Sequence, residues 1–187
     1  MDDELQQLKG FIGQQLALLH LINIMQYEII GEEVKVEGLN GRSRLDIVAR
    51  DNDNNNNRNI PIEVKFQQYN IYNYGGAFEH VLQTIGNGGV PVALLGDIEY
   101  PLTNPLIYIW YPPANNIQNN IPFYNNLTVI TFEQVINELN AHNIGYVNEI
   151  SNVFTDKINQ FFNNGNPAQL NQNQRDRFNE LFNINNI

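Results

Sequence analysis

The sequence predicts an α/β domain, a central mixed sheet flanked by helices, followed by a helical C-terminal extension. Three observations predict it: an opening run with helical periodicity, a series of short β-type runs bounded by turn-forming residues, and a last stretch where the helical period returns. At 187 residues the chain can bury one sizeable core. It divides into a core over 1–142 and an asparagine-rich helical extension over 143–187, packed on or beside that core.

From Asp3 to about Met25, Leu5, Leu8, Ile12, Leu16, Leu19 and Ile22 recur at three- and four-residue spacing, the stripe of an amphipathic helix, and Asp2 or Asp3 can cap it. Glu32 to Glu37 alternates polar with apolar residues and reads as a first strand. Gly38-Leu39-Asn40-Gly41 turns the chain into a second, Arg42 to Arg50. Asp51 to Asn59 is turn-forming and without apolar content, so Ile60 to Phe66 returns as its hairpin partner. Ala77 to Ile85 places Phe78, Val81, Leu82 and Ile85 on one side and predicts a second helix, ended by Gly86-Asn87-Gly88-Gly89. Pro91 to Gly96, Leu106 to Tyr111 and Leu127 to Ile130 read as further strands. Thr131 caps a helix from Phe132 to Leu139. Two more helices, Tyr146 to Phe162 and Pro167 to Phe182, form the extension. There Phe154, Ile158, Phe161 and Phe162 read as packing residues, and a homodimer contact through the tail is the less favoured use of them.

Composition narrows the function classes. With no cysteine there is no disulfide framework, thiolate zinc site or cysteine-held iron–sulfur cluster. The acidic start Met1-Asp2-Asp3-Glu4 is unlike a secretory signal, and no apolar run approaches spanning length, so the expected setting is intracellular (cytoplasmic) and soluble, with no membrane partner. A net charge of −10 opposes phosphate binding by the chain as a whole. Six of the ten basic residues, Lys35, Arg42, Arg44, Arg50, Arg58 and Lys65, nevertheless fall in one short region, as a local basic cleft or as solvated hairpin charges.

That region carries the chemistry. Along a strand, residues two apart share a face about 6.5 Å apart. Ile60, Ile62, Val64 and Phe66 therefore take one face of the second hairpin arm, with Pro61, Glu63 and Lys65 on the other. In the first arm Leu45, Ile47 and Ala49 form the apolar face opposite Asp46, Val48 and Arg50. Pairing the arms brings Asp46 towards Glu63. Two carboxylates held close repel unless a cation lies between them, and a hard ion such as Mg²⁺ prefers such oxygen ligands and can orient a phosphate and a water. Lys65 would offset charge building on a phosphorane. The plain alternative is a surface Glu-Lys pair worth less than about 1 kcal/mol.

Asp46 followed by Glu63-Val64-Lys65 resembles the PD-(D/E)xK nuclease superfamily, which includes restriction endonucleases, archaeal Holliday-junction resolvases and RecB-type nucleases. The resemblance runs from the first helix to the Leu106–Tyr111 strand. It implies a restriction-endonuclease-like αβββαβ core and a metal-dependent nuclease acting on nucleic acid, most often DNA. It further implies Asp46, Glu63 and the Val64 carbonyl as ligands of Mg²⁺ (or Mn²⁺), with Lys65 assisting the attacking water. The family usually adds a carboxylate from the first helix. Here the comparable stretch, Gly10 to Leu16, offers only amides such as Gln14, and Glu28 is the better placed carboxylate to compensate if the helix runs on to Ile30. Gln83 stands where related nucleases place a glutamine near the site, although Asn87 replaces the accompanying tyrosine. Arg42 and Arg44 are candidates to hold a phosphate. His20, among Leu18, Leu19, Leu21 and Ile22, reads as a packed core histidine. The negative charge and the missing helix carboxylate favour a second reading: an inactive nuclease-fold protein serving as a nucleic-acid-binding or protein-interaction module.

Overall fold

The computed structural model describes residues 2–38, 41–52, 58–66, 92–95, 98–102, 104–109, 128–150 and 152–153. Helix α1 spans Asp2–Asn23. It buries Ile12, Leu16, Ala17 and Leu21, one helical face at three- to five-residue spacing. Ile22, expected on that stripe, lies a step round the helix and is 50% exposed. The helix ends before Met25: Ile24 N–H donates to the His20 carbonyl at 2.9 Å, and Gln26 turns through a left-handed φ of 58°.

Among the described residues seven strands form one sheet. β1 (Glu28–Gly38) and β2 (Gly41–Asp51) form an antiparallel pair that closes with Gly38 opposite Gly41, as the Gly-Leu-Asn-Gly turn predicts. β3 (Arg58–Lys65) returns antiparallel to β2, with Asp51 opposite Arg58 and their side chains 3.4 Å apart. β4 (Val92–Leu95) pairs with the other edge of β1. β5 (Ile98–Pro101), which the sequence reading did not assign, pairs antiparallel with β4. β6 (Leu106–Ile109) runs parallel to β3, and β7 (Thr128–Thr131) parallel to β6. The order is β5-β4-β1-β2-β3-β6-β7, a mixed sheet. Parallel neighbours require long crossovers: the one from β3 to β6 includes β4 and β5, and residues 110–127, between β6 and β7, lie outside the described residues. Pro61 is tolerated inside β3 because the β6 ladder begins only at Ile62, one residue after the missing N–H.

Helix α2 (Phe132–Ala141) follows β7 directly. Thr131 caps it as the sequence predicts, its hydroxyl oxygen accepting from the Gln134 amide at 3.2 Å. Phe132, Val135, Ile136 and Leu139 turn inward. One apolar cluster joins α1, α2 and the sheet face of Ile47, Ala49, Ile60, Ile62 and Tyr108. Each fully buried leucine or isoleucine in it is worth about 2–5 kcal/mol against truncation to alanine. Tyr146 and Ile150, at the start of the C-terminal extension, belong to this same cluster. The extension is thus continuous with the core at its first helical turns, across the expected boundary at 142. A smaller cluster of Val34, Leu45, Val48 and Leu102 lies apart. Leu45 was expected with Ile47 and Ala49, but regular alternation stops at Asp46, between them.

Gly13 fixes how closely α1 approaches. A Cβ there would sit inside the contact distance of Phe66 Cβ and Cγ, so only glycine lets the helix backbone reach the end of β3. The expected helices 77–85 and 167–182, most of 146–162, and Gln83 lie outside the described residues. No described helix is long and apolar enough to cross a membrane.

Candidate functional site

The two hairpin arms separate at one point. β2 pairs with β3 only from Asp51 to Ile47, and its remaining residues pair with β1 alone; β3 pairs with β2 only as far as Ile62, then follows β6 through Lys65. Continuing the register one step past Ile47–Ile62 sets Asp46 across from Glu63. In place of a ladder bond, the Asp46 carboxylate reaches over and its Oδ2 accepts from the Val64 amide at 2.7 Å. Glu63 is 1% exposed, and its Oε1 lies 2.6 Å from the Lys65 ammonium, which is 42% exposed. The three expected residues therefore meet at the mouth of a fork in the sheet, with Lys65 facing solvent and Glu63 at the bottom.

The electrostatics follow from that arrangement. Burial first, and then the Glu63 charge, push the Asp46 carboxyl up from 3.8 to about 6, although the Val64 N–H and the Lys65 charge act the other way. Burial works against the Lys65 ammonium, but the charge and hydrogen bond of Glu63, followed by Asp46, outweigh it and raise its pKa. Lys65 is a fixed cation here. It can stabilise negative charge but is badly placed to act as a general base.

The remaining candidates fall differently. Glu28 opens β1 instead of continuing α1, and pairs with Arg50, its Oε2 3.3 Å from Nη1. Its partner Arg50 lies four residues along β2 from Asp46, roughly 14 Å at strand rise. It is thus not at the site, because the helix it was expected to extend stops at Asn23. Gln14 donates from α1 to Glu32 Oε2 at 2.7 Å rather than to Asp46. Arg44 is exposed and lies 3.6 Å from Glu33. Arg42 is opposite Glu37 in the β1–β2 register.

Glu33 is the residue that sequence reasoning passed over. Glu32 faces Ile47 and Val34 faces Leu45, so Glu33 lies level with Asp46, though the two are not themselves a ladder pair. Its charge contributes to raising both Asp46 and Lys65. The signal was available: counting back from the Gly38–Gly41 turn sets position 46 level with 33. Glu33 also holds a left-handed φ of 51°, a conformation costing a side-chain-bearing residue about 1–2 kcal/mol.

A second polar group lies on the helix side of the sheet. His20, 2% exposed, is bonded through Nδ1 to the Tyr108 hydroxyl at 2.9 Å and through Nε2 to Glu138 Oε2 at 2.7 Å. The histidine is a core residue, as its apolar neighbours predict. Burial, then the nearby Tyr27 and Glu138, push the Tyr108 phenol far up, so it stays neutral. With no exposed surface, Tyr108 cannot meet a substrate. No local sequence pattern announces this trio, whose members are 88 and 118 positions apart.

Among the described residues no group of three or more His, Asp or Glu side chains is placed to hold a metal ion. The fork holds two carboxylates, Asp46 and Glu63, hard oxygen donors of the kind that suits Mg²⁺ or Mn²⁺, which keep several water ligands. Comparison with protein-family models, with curated proteins and with solved structures finds no match.

Proposed function

We propose that the chain is a metal-dependent nuclease of the PD-(D/E)xK kind, hydrolysing phosphodiester bonds, with DNA as the favoured substrate. The observation that carries this reading is the fork: Asp46 and Glu63 meet where β2 and β3 part, and Lys65 lies 2.6 Å from Glu63. The order of elements supports it: α1, the antiparallel β1-β2-β3 meander and a strand parallel to β3 are compatible with an αβββαβ plan, whose second helix would fall outside the described residues. Asp46, Glu63 and the Val64 carbonyl would hold Mg²⁺ or Mn²⁺. When bound, such an ion supplies Lewis-acid polarisation of a phosphate and lowers the pKa of a water. Glu63 is held at the bottom of the fork and Asp46 is fixed by the Val64 amide, so both carboxylates are positioned before substrate arrives. Lys65 remains charged and exposed enough to meet a phosphate oxygen, where it would stabilise charge developing in the transition state.

The test is nicking and degradation of supercoiled, linear and single-stranded DNA with Mg²⁺ or Mn²⁺. Asp46→Ala, Glu63→Ala and Lys65→Ala should each lower cleavage by at least about a hundredfold while far-ultraviolet circular dichroism stays unchanged. Cleavage surviving all three substitutions sinks the assignment.

The net charge of −10 favours a second reading, an inactive nuclease-fold protein that binds nucleic acid or protein. The two part on metal: a native-state ligand raises the melting temperature by mass action. No rise at millimolar Mg²⁺ or Mn²⁺ supports the inactive protein.

A further inference from the structure

We infer that Glu33 of β1 supplies the acidic group that the first helix lacks, acting on the metal through its water ligands from a position level with Asp46. The inference rests on the metal-dependent reading above. Three observations carry it. Glu33 lies between Glu32, opposite Ile47, and Val34, opposite Leu45, so it falls level with Asp46 along the strands. Glu33 is 52% exposed, so its carboxylate can approach a hydrated ion without unpacking the core. The stretch of α1 nearest the fork cannot serve: Gly13 is closed against Phe66, and Gln14 is engaged by Glu32.

The route through water follows from the geometry. Glu33 does not form a three-carboxylate cage with Asp46 and Glu63. Mg²⁺ surrenders its waters reluctantly, so a carboxylate one shell out accepts hydrogen bonds from them and orients them. Its charge already bears on Asp46 and Lys65. Arg44, 3.6 Å away, competes for the same carboxylate.

Backbone conformation separates this role from a structural one. At a φ of 51° glycine is at ease and glutamate is not, so Glu33→Gly removes the carboxylate while relieving the backbone. The experiment is a Mn²⁺ titration of the full chain followed by melting temperature, with no substrate present. Glu33→Gln and Glu33→Gly should each weaken Mn²⁺ about tenfold, the usual size of an outer-shell loss. Glu33→Gly should also leave the melting temperature in EDTA unchanged or raised. Arg44→Gln should tighten Mn²⁺, whereas Glu28→Gln, an equal change of charge at the far end of β1, should leave it as in the wild type. If the wild type responds to Mn²⁺ and the Glu33 variants match it, or Glu28→Gln weakens it equally, the role of Glu33 is overturned and the metal site stands. If the wild type does not respond, both are overturned.

Discussion

Asp46→Asn should make the metal-free protein more stable at neutral pH, and the gain should disappear in acid. An aspartate whose pKa is raised on folding behaves oppositely to the usual salt-bridged carboxylate. Between 3.8 and about 6 the folded chain holds a proton that the unfolded chain has released, so stability falls as pH rises through that window. Below it both states are protonated and the penalty is absent; above it the penalty is complete. A displacement of about two units, at 1.36 kcal/mol each, amounts to about 3 kcal/mol. Some of the repulsion from Glu63 will relax, so about 2–3 kcal/mol is expected. Asparagine keeps an oxygen to accept from the Val64 amide and removes the charge. Urea unfolding of both proteins in EDTA, repeated across the pH range, measures the difference through the midpoint at constant slope. A difference that does not change with pH, or an asparagine variant less stable at neutral pH, would refute the argument that burial and Glu63 set the state of Asp46.

Gly13→Ala sets two effects against each other: alanine gains about 1 kcal/mol of helix propensity, while overpacking against Phe66 costs about 1–3 kcal/mol. Because the clash is with atoms close to the Phe66 backbone, it should win, and a variant melting at or above the wild-type temperature would contradict the close approach of α1. Glu138 shows the ordinary sign: its bonds to His20, then Gln134, hold its carboxyl below 4.5, so its stabilisation is present above that value and lost as pH falls through the lowered one. Glu138→Gln should cost about 1 kcal/mol at neutral pH and nothing once the carboxylate is protonated, as read from urea midpoints at the two pH values.

Much of the fold was written in local pattern. Turn residues at Gly38–Gly41 and in the Asp51–Asn59 run fixed the antiparallel meander, and Thr131 marked a helix start because a cap is a nearest-neighbour interaction. Trios and edges were not so legible. β5 is four residues ending in a proline, too short for alternation to show. Glu28 was misplaced because apolar Ile24, Met25 and Tyr27 continue a helix-like pattern past Asn23, while a left-handed Gln26 redirects the backbone. At the site, Asp46, Glu63 and Lys65 were found because strand period and hairpin register are arithmetic. Glu33 is open to the same arithmetic, counted back from the Gly38–Gly41 turn. Leu45 joins its β1 partner Val34 in the smaller cluster, a tertiary grouping that strand period does not decide.

Val64 and Tyr108 are partners on one rung of the β3–β6 ladder. On one side of that rung the Val64 amide clasps Asp46; on the other the Tyr108 hydroxyl meets His20. The sheet is one peptide thick there, so the acidic fork and the buried histidine stand back to back on a common wall. A change of size at Tyr108 that shifts its strand would tilt the amide gripping Asp46, and the histidine trio thereby becomes a foundation whose settling the fork must register.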